Sequence, residues 1–425
     1  MTMDIESRLA KRAHHIRSSR IRELAPYITL PEMISFGGGY PDPDYCAFRE
    51  FGINFASGAV DHVAGIRAAE AFQYGPTAGN QRLVERLLAW HKDRFMVSLE
   101  KEQCVILNGS QEGLFILSFL FLESDDSVIM AEPAYPGAIM ACSPFSREII
   151  PVSLDDEGIR VDDVSRILFN REKNGKKTPK FIYTVPSGHN PTGVTLSIER
   201  RRSLLALAEE YDTILIEDDP YRLIELDEGN QTPETIQSLE TQMKRVLRLD
   251  SFSKILSPGI RLGYATGHPE IIRRIVLLKQ SINLQTGMLA QGFLDSFFET
   301  HSSDEINRLL ALNNKNYRNK RDQMIEMAQR LLPGYISYQT PNHGLFIWFS
   351  MPGGYDSERM IREDSERLRI LLVPGNAFAV QGDFRNYMRA SFATAGHSSI
   401  EAGMRRFSEM IQIERERMRK DKGNE

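Results

Sequence analysis

The chain has 425 residues, and this length exceeds what a single hydrophobic core usually supports, so two packed lobes are expected. A formal net charge of −5 excludes the basic excess that favours nucleic acid as a default partner. The three cysteines, Cys46, Cys104 and Cys142, have neither a disulfide nor a metal-binding spacing, which favours a reducing compartment such as the cytoplasm. A polar N-terminus and short apolar runs predict no secretory signal and no membrane span.

Short β-rich runs alternate with helical periodicity through the middle of the chain. Strands are predicted at residues 104–109, 127–133, 180–186, 213–219 and 245–251, and stretches such as 197–211 have the apolar spacing of helices. This alternation predicts an α/β fold with a mainly parallel sheet flanked by helices, which binds ligands at the carboxyl ends of its strands. From about residue 312, a long helix, short strands around 344–349 and further helices predict a smaller α+β lobe.

The first two strand ends carry groups suited to an anion and a flat ring. Gly109, Ser110 and Gln111 form a strand-to-helix turn whose backbone N–H groups and serine hydroxyl can bind an anion. The alternative is a plain N-cap serine. Tyr135 follows the second strand and can stack on a flat heterocycle, or pack on the core as a turn tyrosine.

The next two strand ends supply an amide and carboxylates. Asn190 sits in the segment TVPSGHNPTG, where closely spaced proline and glycine residues favour a fixed turn over an ordinary loop. The segment IEDDPY places three carboxylates at the tip of a buried strand, which is costly unless at least one is paired. Asp218 facing a cationic ring nitrogen would meet that need, with Tyr221 three residues on. Capping of a downstream helix is the alternative for one of the other two acids.

The fifth strand leads into DSFSKILSPGIRLGY, which holds Ser251, Ser253, Lys254 and Arg261 within eleven positions. A lysine flanked by two hydroxyls and an arginine indicates an amine nucleophile beside an oxyanion clamp. The same segment contains S-x-x-K, the serine-hydrolase pattern of penicillin-binding proteins. That pattern also requires S-D-N and K-T-G elements, which the sequence lacks.

These segments, in this order and followed by Arg389 in YMRASF, resemble the fold-type I aminotransferases that depend on pyridoxal 5′-phosphate (PLP). The resemblance runs from about residue 33 to residue 392 and is greatest to the kynurenine/α-aminoadipate group, related to aromatic aminotransferases. FQYGPTAGN, NGSQEGL, TPKFIYTVPSGHNPTG and LLVPGNAF also carry it. It implies a large domain of residues 46–311 with a mainly parallel seven-stranded sheet. It also implies a small α+β domain formed by residues 1–45 with 312–425.

The resemblance implies a role for each cofactor-binding residue. Lys254 would carry PLP as a Schiff base and shuttle a proton, while Asp218 would pair with the pyridine nitrogen. Tyr221 and Asn190 would hydrogen-bond the ring 3-oxygen, and Tyr135 would stack on the ring. The implied phosphate ligands are Ser110, Gln111, Ser251, Ser253 and Arg261.

The resemblance also implies substrate contacts and a partner subunit. Arg389 would bind the substrate α-carboxylate bidentately, and Gly39 would leave room beside the ring. Tyr74 would reach the phosphate of a neighbouring subunit, which implies a homodimer with shared active sites. Tyr40 departs from the aliphatic residue of the group and could stack on an aromatic substrate or narrow the pocket. Arg22 could bind a distal carboxylate, or could be a solvated helix arginine.

The implied reaction is ping-pong transfer of the amino group of an L-amino acid to a 2-oxo acid such as 2-oxoglutarate. The expected donor is aromatic, kynurenine-like or aminoadipate-like. A PLP-dependent β-lyase or another PLP-dependent elimination enzyme is an alternative on the same fold. An aminotransferase-like regulatory protein is a remoter one, since about 30 residues before the GGGYPDP segment are too few for a DNA-binding module with a linker. His189 and His343 are taken as structural and left out of the mechanism.

Overall fold

The structure, a computed structural model, describes residues 4–19, 27, 32–34, 39, 41–42, 46–227, 229, 232–242 and 244–423. The predicted substrate residues Arg22 and Tyr40 lie outside the described residues. The chain divides into two compact units. The first comprises Met1–Asp125 with Thr235–Leu309, and the second comprises Asp126–Glu234 with Leu310–Glu425.

Strands and helices alternate along most of the described chain. The strands are β1 Phe51–Asn54, β2 Val60–Val63, β3 Cys104–Leu107, β4 Ser127–Glu132, β5 Glu148–Asp155, β6 Gly158–Ile159, β7 Phe181–Thr184, β8 Ile214–Asp218, β9 Val246–Ser251, β10 Gly263–Thr266, β11 Phe346–Ser350, β12 Val373–Pro374 and β13 Tyr387–Ser391. The α-helices are α1 Ile5–Arg8, α2 Gly65–Phe72, α3 Gln81–Phe95, α4 Ser110–Phe121, α5 Pro136–Cys142, α6 Val161–Lys173, α7 Ile198–Glu210, α8 Ile236–Leu239, α9 Pro269–Ile282, α10 Met288–Thr300, α11 Ser303–Leu331, α12 Ser357–Leu368 and α13 His397–Gly423.

In the first unit, β10 lies between β3 and β9 and is antiparallel to both. Gly263, the first residue of β10, is opposite Leu107 at the end of β3 and Ser251 at the end of β9. The turn after β3 and the turn after β9 therefore leave the sheet at the same edge. A Cβ on Gly263 would stand 2.6 Å from the Asp250 carbonyl oxygen and 3.0 Å from the Ser110 nitrogen, so only glycine permits this close approach.

In the second unit, β5, β4, β7 and β8 are neighbours in that order, and every pair is parallel. The residues of β7 and β8 are all buried, as expected for strands covered on both faces. Tyr135, Asn190 and Tyr221 lie in the segments that follow β4, β7 and β8. Because these strands are parallel, the three segments leave the strands at the same edge. A separate antiparallel sheet contains β11, β13 and β12, in which Trp348 is opposite Arg389.

The five strands predicted from sequence are all present, each within two residues of its expected start. Among the described residues, β3, β10 and β9 pair within the first unit, and β5, β4, β7 and β8 pair within the second, where the two-residue β6 also pairs antiparallel with β5. The long helix predicted from about residue 312 begins earlier, at Ser303. The division into a large domain of residues 46–311 and a small domain of residues 1–45 with 312–425 stays a prediction. Among the described residues, no helix is long and apolar enough to cross a bilayer.

Candidate active site

The turn between β3 and α4 is shaped by a glycine. Gly109 occupies the N-cap position of α4 with φ of 79°, so Ser110 is the first helical residue and not the N-cap. A Cβ on Gly109 would lie 2.6 Å from Nη2 of Arg261. The guanidinium therefore occupies the space beside the turn that any other side chain would fill.

Arg261 connects this turn with the one after β9. It has left-handed backbone geometry, with φ of 52°. Its Nη1 donates to Ser253 Oγ at 3.2 Å, and its Nη2 approaches the Asn108 carbonyl oxygen at 3.4 Å. The Ser253 backbone N–H donates to Ser251 Oγ at 3.2 Å. A guanidinium, two hydroxyls and the N-terminus of a twelve-residue helix thus meet at one edge of the first unit, a donor set that suits a phosphate dianion.

The remaining predicted residues of the first unit differ in exposure. Lys254 is half-buried and directly follows Ser253 in the turn after β9. Gln111 is half-buried in the first turn of α4. Tyr74 is 52% exposed, and Gly39 is exposed, with no atom of the described residues within 4 Å of the position that a Cβ would take.

The second unit holds the carboxylate predicted to face a ring nitrogen. Asp218, at the end of β8, is 2% exposed, and the Tyr183 hydroxyl donates to its Oδ2 at 2.8 Å. Burial raises the pKa of Tyr183 well above its usual value, and the negative charge of Asp218 raises it further. The phenol therefore stays protonated and keeps its hydrogen bond to the carboxylate. The downstream α8 begins only at Ile236, so these strand-end acids do not cap it.

Tyr221, Asn190 and Arg389 form a connected group in the second unit. Burial raises the pKa of Tyr221, with Tyr135 and Asp218 adding to the effect, while Arg389 and a hydrogen bond with Asn190 oppose it. Asn190 also accepts a hydrogen bond from Arg389 Nη1 at 2.8 Å. The Asn190 side chain therefore links the Tyr221 hydroxyl to the guanidinium.

The Arg389 guanidinium is held against aromatic rings. It lies 4.2 Å from the ring centroid of Phe346 and 4.9 Å from that of Phe378. Burial lowers its pKa, although Tyr221 and Tyr135 oppose this. Its Nε is buried and has no hydrogen-bond partner among the described residues. A half-buried, oriented guanidinium with a donor still to satisfy suits a carboxylate.

Both histidines of the site segments have structural contacts. Burial lowers the pKa of His189 to about 3, and its Nδ1 lies 3.1 Å from Thr192 Oγ1. Burial lowers the pKa of His343 to about 4, and its ring nitrogens lie within hydrogen-bond distance of Thr195 and Thr232. Neutral imidazoles in contact with threonine hydroxyls fit the structural role expected for both residues.

Sequence reasoning missed two groups next to these residues. Tyr183 lies inside the segment TPKFIYTVPSGHNPTG, but an aromatic residue within an apolar strand is typical of core and gave no sign of its bond to Asp218. Glu132 was also missed. Its Oε1 accepts hydrogen bonds from the backbone N–H groups of Val380, Gln381 and Gly382, at 2.7, 2.6 and 2.7 Å.

Known proteins resemble the chain over nearly its whole length. The sequence model of the family "Aminotransferase class I and II" matches residues 60–406. The aromatic-amino-acid aminotransferase 1 of Thermococcus litoralis is 32% identical over 414 residues, covering 97% of this chain and 96% of that protein. The mitochondrial kynurenine/alpha-aminoadipate aminotransferase of Mus musculus is 31% identical over 401 residues, covering 89% and 92%. The crystal structure of kynurenine aminotransferase from Pyrococcus horikoshii, in complex with PMP, matches with a TM-score of 0.77 at 32% identity, covering 97% and 98%.

The chain belongs to the class I and II aminotransferase family. It is a PLP-dependent aminotransferase with an α/β fold, and its substrates are amino acids and 2-oxo acids. The resemblance noted from sequence is thereby confirmed. The names of these relatives favour transamination over the β-lyase alternative.

Proposed function

We propose that this enzyme transfers the amino group of an aromatic, kynurenine-like or aminoadipate-like L-amino acid to 2-oxoglutarate. Arg389 carries the proposal, because every such donor and acceptor has an α-carboxylate. Its guanidinium lies against Phe346 and Phe378, is bonded to Asn190 and keeps a buried Nε for a further acceptor. The names of the relatives support the choice of side chain, since they include aromatic, kynurenine and 2-aminoadipate aminotransferases.

The side chains present fit the cofactor. The space beside Gly109, filled by the Arg261 guanidinium, supports a phosphate site with Ser110, Gln111, Ser251 and Ser253 as further ligands. When bound, PLP would supply an aldehyde carbon that takes up the amino group and a ring that serves as an electron sink. We assign Lys254 as the residue that holds the cofactor covalently.

The other assignments concern protons and charge. Lys254, neutral for part of the cycle, moves a proton at the substrate Cα. Asp218, which accepts the Tyr183 hydrogen bond, holds the proton of the pyridine nitrogen. Tyr221 and Asn190 hydrogen-bond the 3-oxygen, and Tyr135 stacks on the ring.

The proposed assembly is a homodimer in which Tyr74 binds the phosphate in the neighbouring subunit. The 52% exposure of Tyr74 supports this role, because the ring is accessible to a second chain. That no described atom lies within 4 Å of the Cβ position of Gly39 supports its assignment beside the substrate. The cytoplasm is the proposed location, supported by the three cysteines, which are free thiols. The large and small domains of residues 46–311 and of 1–45 with 312–425 are part of the same proposal.

The test is a half-reaction followed by absorbance. Holoenzyme is mixed, without oxo acid, with kynurenine, tryptophan, phenylalanine, aminoadipate, leucine or glutamate. Conversion of the cofactor band by the first four, followed by its return on addition of 2-oxoglutarate, is the expected result. Faster conversion by leucine than by every aromatic donor and aminoadipate would overturn the substrate class. Release of indole, ammonia and pyruvate from tryptophan, in place of reversible conversion, would instead support the β-lyase.

A further inference from the structure

A buried ion pair lies directly behind the turn that contains Gly109. Glu112, in the first turn of α4, accepts hydrogen bonds from the Asn108 backbone N–H at 2.7 Å and from the Asn108 side-chain amide at 3.3 Å. Its carboxylate also accepts from Lys279 Nζ at 2.7 Å and from the Asn283 amide. One carboxylate thus fixes the residue that precedes Gly109.

Lys279 has no exposed side-chain surface. Desolvation lowers the pKa of Lys279, while the charge and hydrogen bond of Glu112 oppose this. Its Nζ also lies 3.3 Å from Thr286 Oγ1, which donates to the Ile106 carbonyl oxygen at 3.1 Å. The pair therefore connects α9 to the end of β3 and to the turn that follows it.

A glutamate at this place presents an electrostatic conflict. Its carboxylate holds the turn through Asn108, yet it lies two residues from Ser110, at the helix terminus assigned to a phosphate dianion. Like charges so close together repel, and the repulsion is screened little inside a protein. A buried ion pair is by itself weak ground for stability, so a role in the fold alone does not account for a fully buried lysine here.

We propose that Lys279 neutralises Glu112, so that Glu112 can position the phosphate-binding turn without repelling the phosphate. Both are positioning residues, since neither is assigned a contact with the cofactor. The inference rests on the proposed function, in which the Gly109 turn binds the 5′-phosphate of PLP.

The experiment measures the Kd of the full-length apoenzyme for PLP and for pyridoxal, which lacks the phosphate. Lys279→Met leaves the Glu112 carboxylate without its cation and is expected to raise the Kd for PLP at least about tenfold. Its Kd for pyridoxal should stay within about twofold of wild type. In Glu112→Gln with Lys279→Met both charges are gone, but the glutamine oxygen still accepts from Asn108. That double variant should return to within about threefold of the wild-type Kd for PLP.

Arg359→Met is the matched control, because it removes the nearer cation from the fully buried Glu414 of the second unit, which then keeps, among the described residues, only the longer ion pair of 3.6 Å with Arg417. It should lower the Tm and leave both Kd values unchanged. Arg261→Ala tests the phosphate site separately. If Arg261→Ala binds PLP as tightly as wild type, the phosphate site itself is wrong. If it weakens PLP binding while Lys279→Met does not, only the role of the Lys279–Glu112 pair is refuted.

Two other results overturn the inference. One is an equal loss of PLP and pyridoxal binding in Lys279→Met, which indicates a general structural defect. The other is a double variant that binds PLP no better than Lys279→Met. Should Lys279→Met not fold, Glu112→Ala and Glu112→Gln carry the test. The alanine should raise the Kd for PLP at least about fivefold and the glutamine should not, and equal Kd values would refute positioning by Glu112.

Discussion

Replacing Arg389 tests the assignment on which substrate binding depends. Arg389→Ala removes a half-buried guanidinium together with its contacts to Phe346, Phe378 and Asn190. Bound substrate would complete the burial of this group, and truncating one partner of a buried, hydrogen-bonded charge pair typically costs about 2–5 kcal/mol. We therefore expect kcat/KM to fall about 30-fold to about 5,000-fold.

The same fall should occur for both half-reactions. The amino acid and the 2-oxo acid each bring an α-carboxylate, so each loses the same contact. Arg389→Lys should retain part of the activity, because an ammonium keeps the charge but cannot bind bidentately or stack as a planar group on Phe346. The assay is steady-state kinetics with kynurenine or aminoadipate as the varied donor, followed by 2-oxoglutarate as the varied acceptor.

Arg385→Ala is the control for loss of an arginine near the same strand. Arg385 is exposed and forms its ion pair with the equally exposed Asp383, so kcat/KM should stay within about twofold of wild type. If Arg389→Ala kept both kcat/KM values within about threefold, the carboxylate assignment would be wrong. A loss confined to the amino acid, with the oxo acid unaffected, would also contradict it.

Replacements of Lys254, Tyr183 and His189 test other parts of the site. Lys254→Ala should still bind PLP but lose turnover by about 100- to 10,000-fold, and absorbance spectra with single-turnover rates would check both parts. Tyr183→Phe removes a hydrogen bond to charged Asp218 and should lower the free energy of unfolding in urea by about 1.5–3 kcal/mol. Tyr335→Phe, which removes a bond between two neutral phenols, should lower it by only about 0.5–1.5 kcal/mol; equal losses would contradict the assignment. The pKa of His189 is about 3 when folded and about 6.5 when unfolded, so its contribution is complete above about pH 6.5 and is lost as the pH falls toward 3. Urea unfolding at pH 7 and pH 5 should show a smaller pH dependence in His189→Asn than in wild type.

The strands predicted from the sequence are those whose residues are mostly apolar and buried. β8 is one of these, and its five residues are all buried. The sequence did not predict β10, because GYAT starts with glycine, is not a continuous run of large apolar residues and follows a 3₁₀ turn. Local pattern is enough where a strand is a continuous apolar run, whereas β10 forms because β3 and β9 stand on either side of it.

The candidate site shows the same division. Asp218, Lys254 and Arg261 stand out because they belong to clusters of polar groups at or beyond the ends of apolar strands, which are unusual enough to see in the sequence. Glu112 and Lys279 do not stand out, because they are 167 positions apart and each is common on a helix. Their pairing depends on how α9 packs beside α4, and no short segment of sequence records that arrangement.

The three N–H groups that converge on Glu132 have a consequence for how the enzyme meets its substrate. The same stretch of backbone is held again by the bond from the Ala134 N–H to the Phe378 carbonyl oxygen, at 2.8 Å. Phe378, one of the two rings against the Arg389 guanidinium, is thus anchored to the end of β4. Ordering this stretch of backbone costs conformational entropy when the chain folds. The same cost is not incurred again when a carboxylate binds. If Arg389 binds the α-carboxylate as proposed, affinity for that group comes from a preorganised site, and discrimination between substrates is left to the groups that contact the substrate side chain.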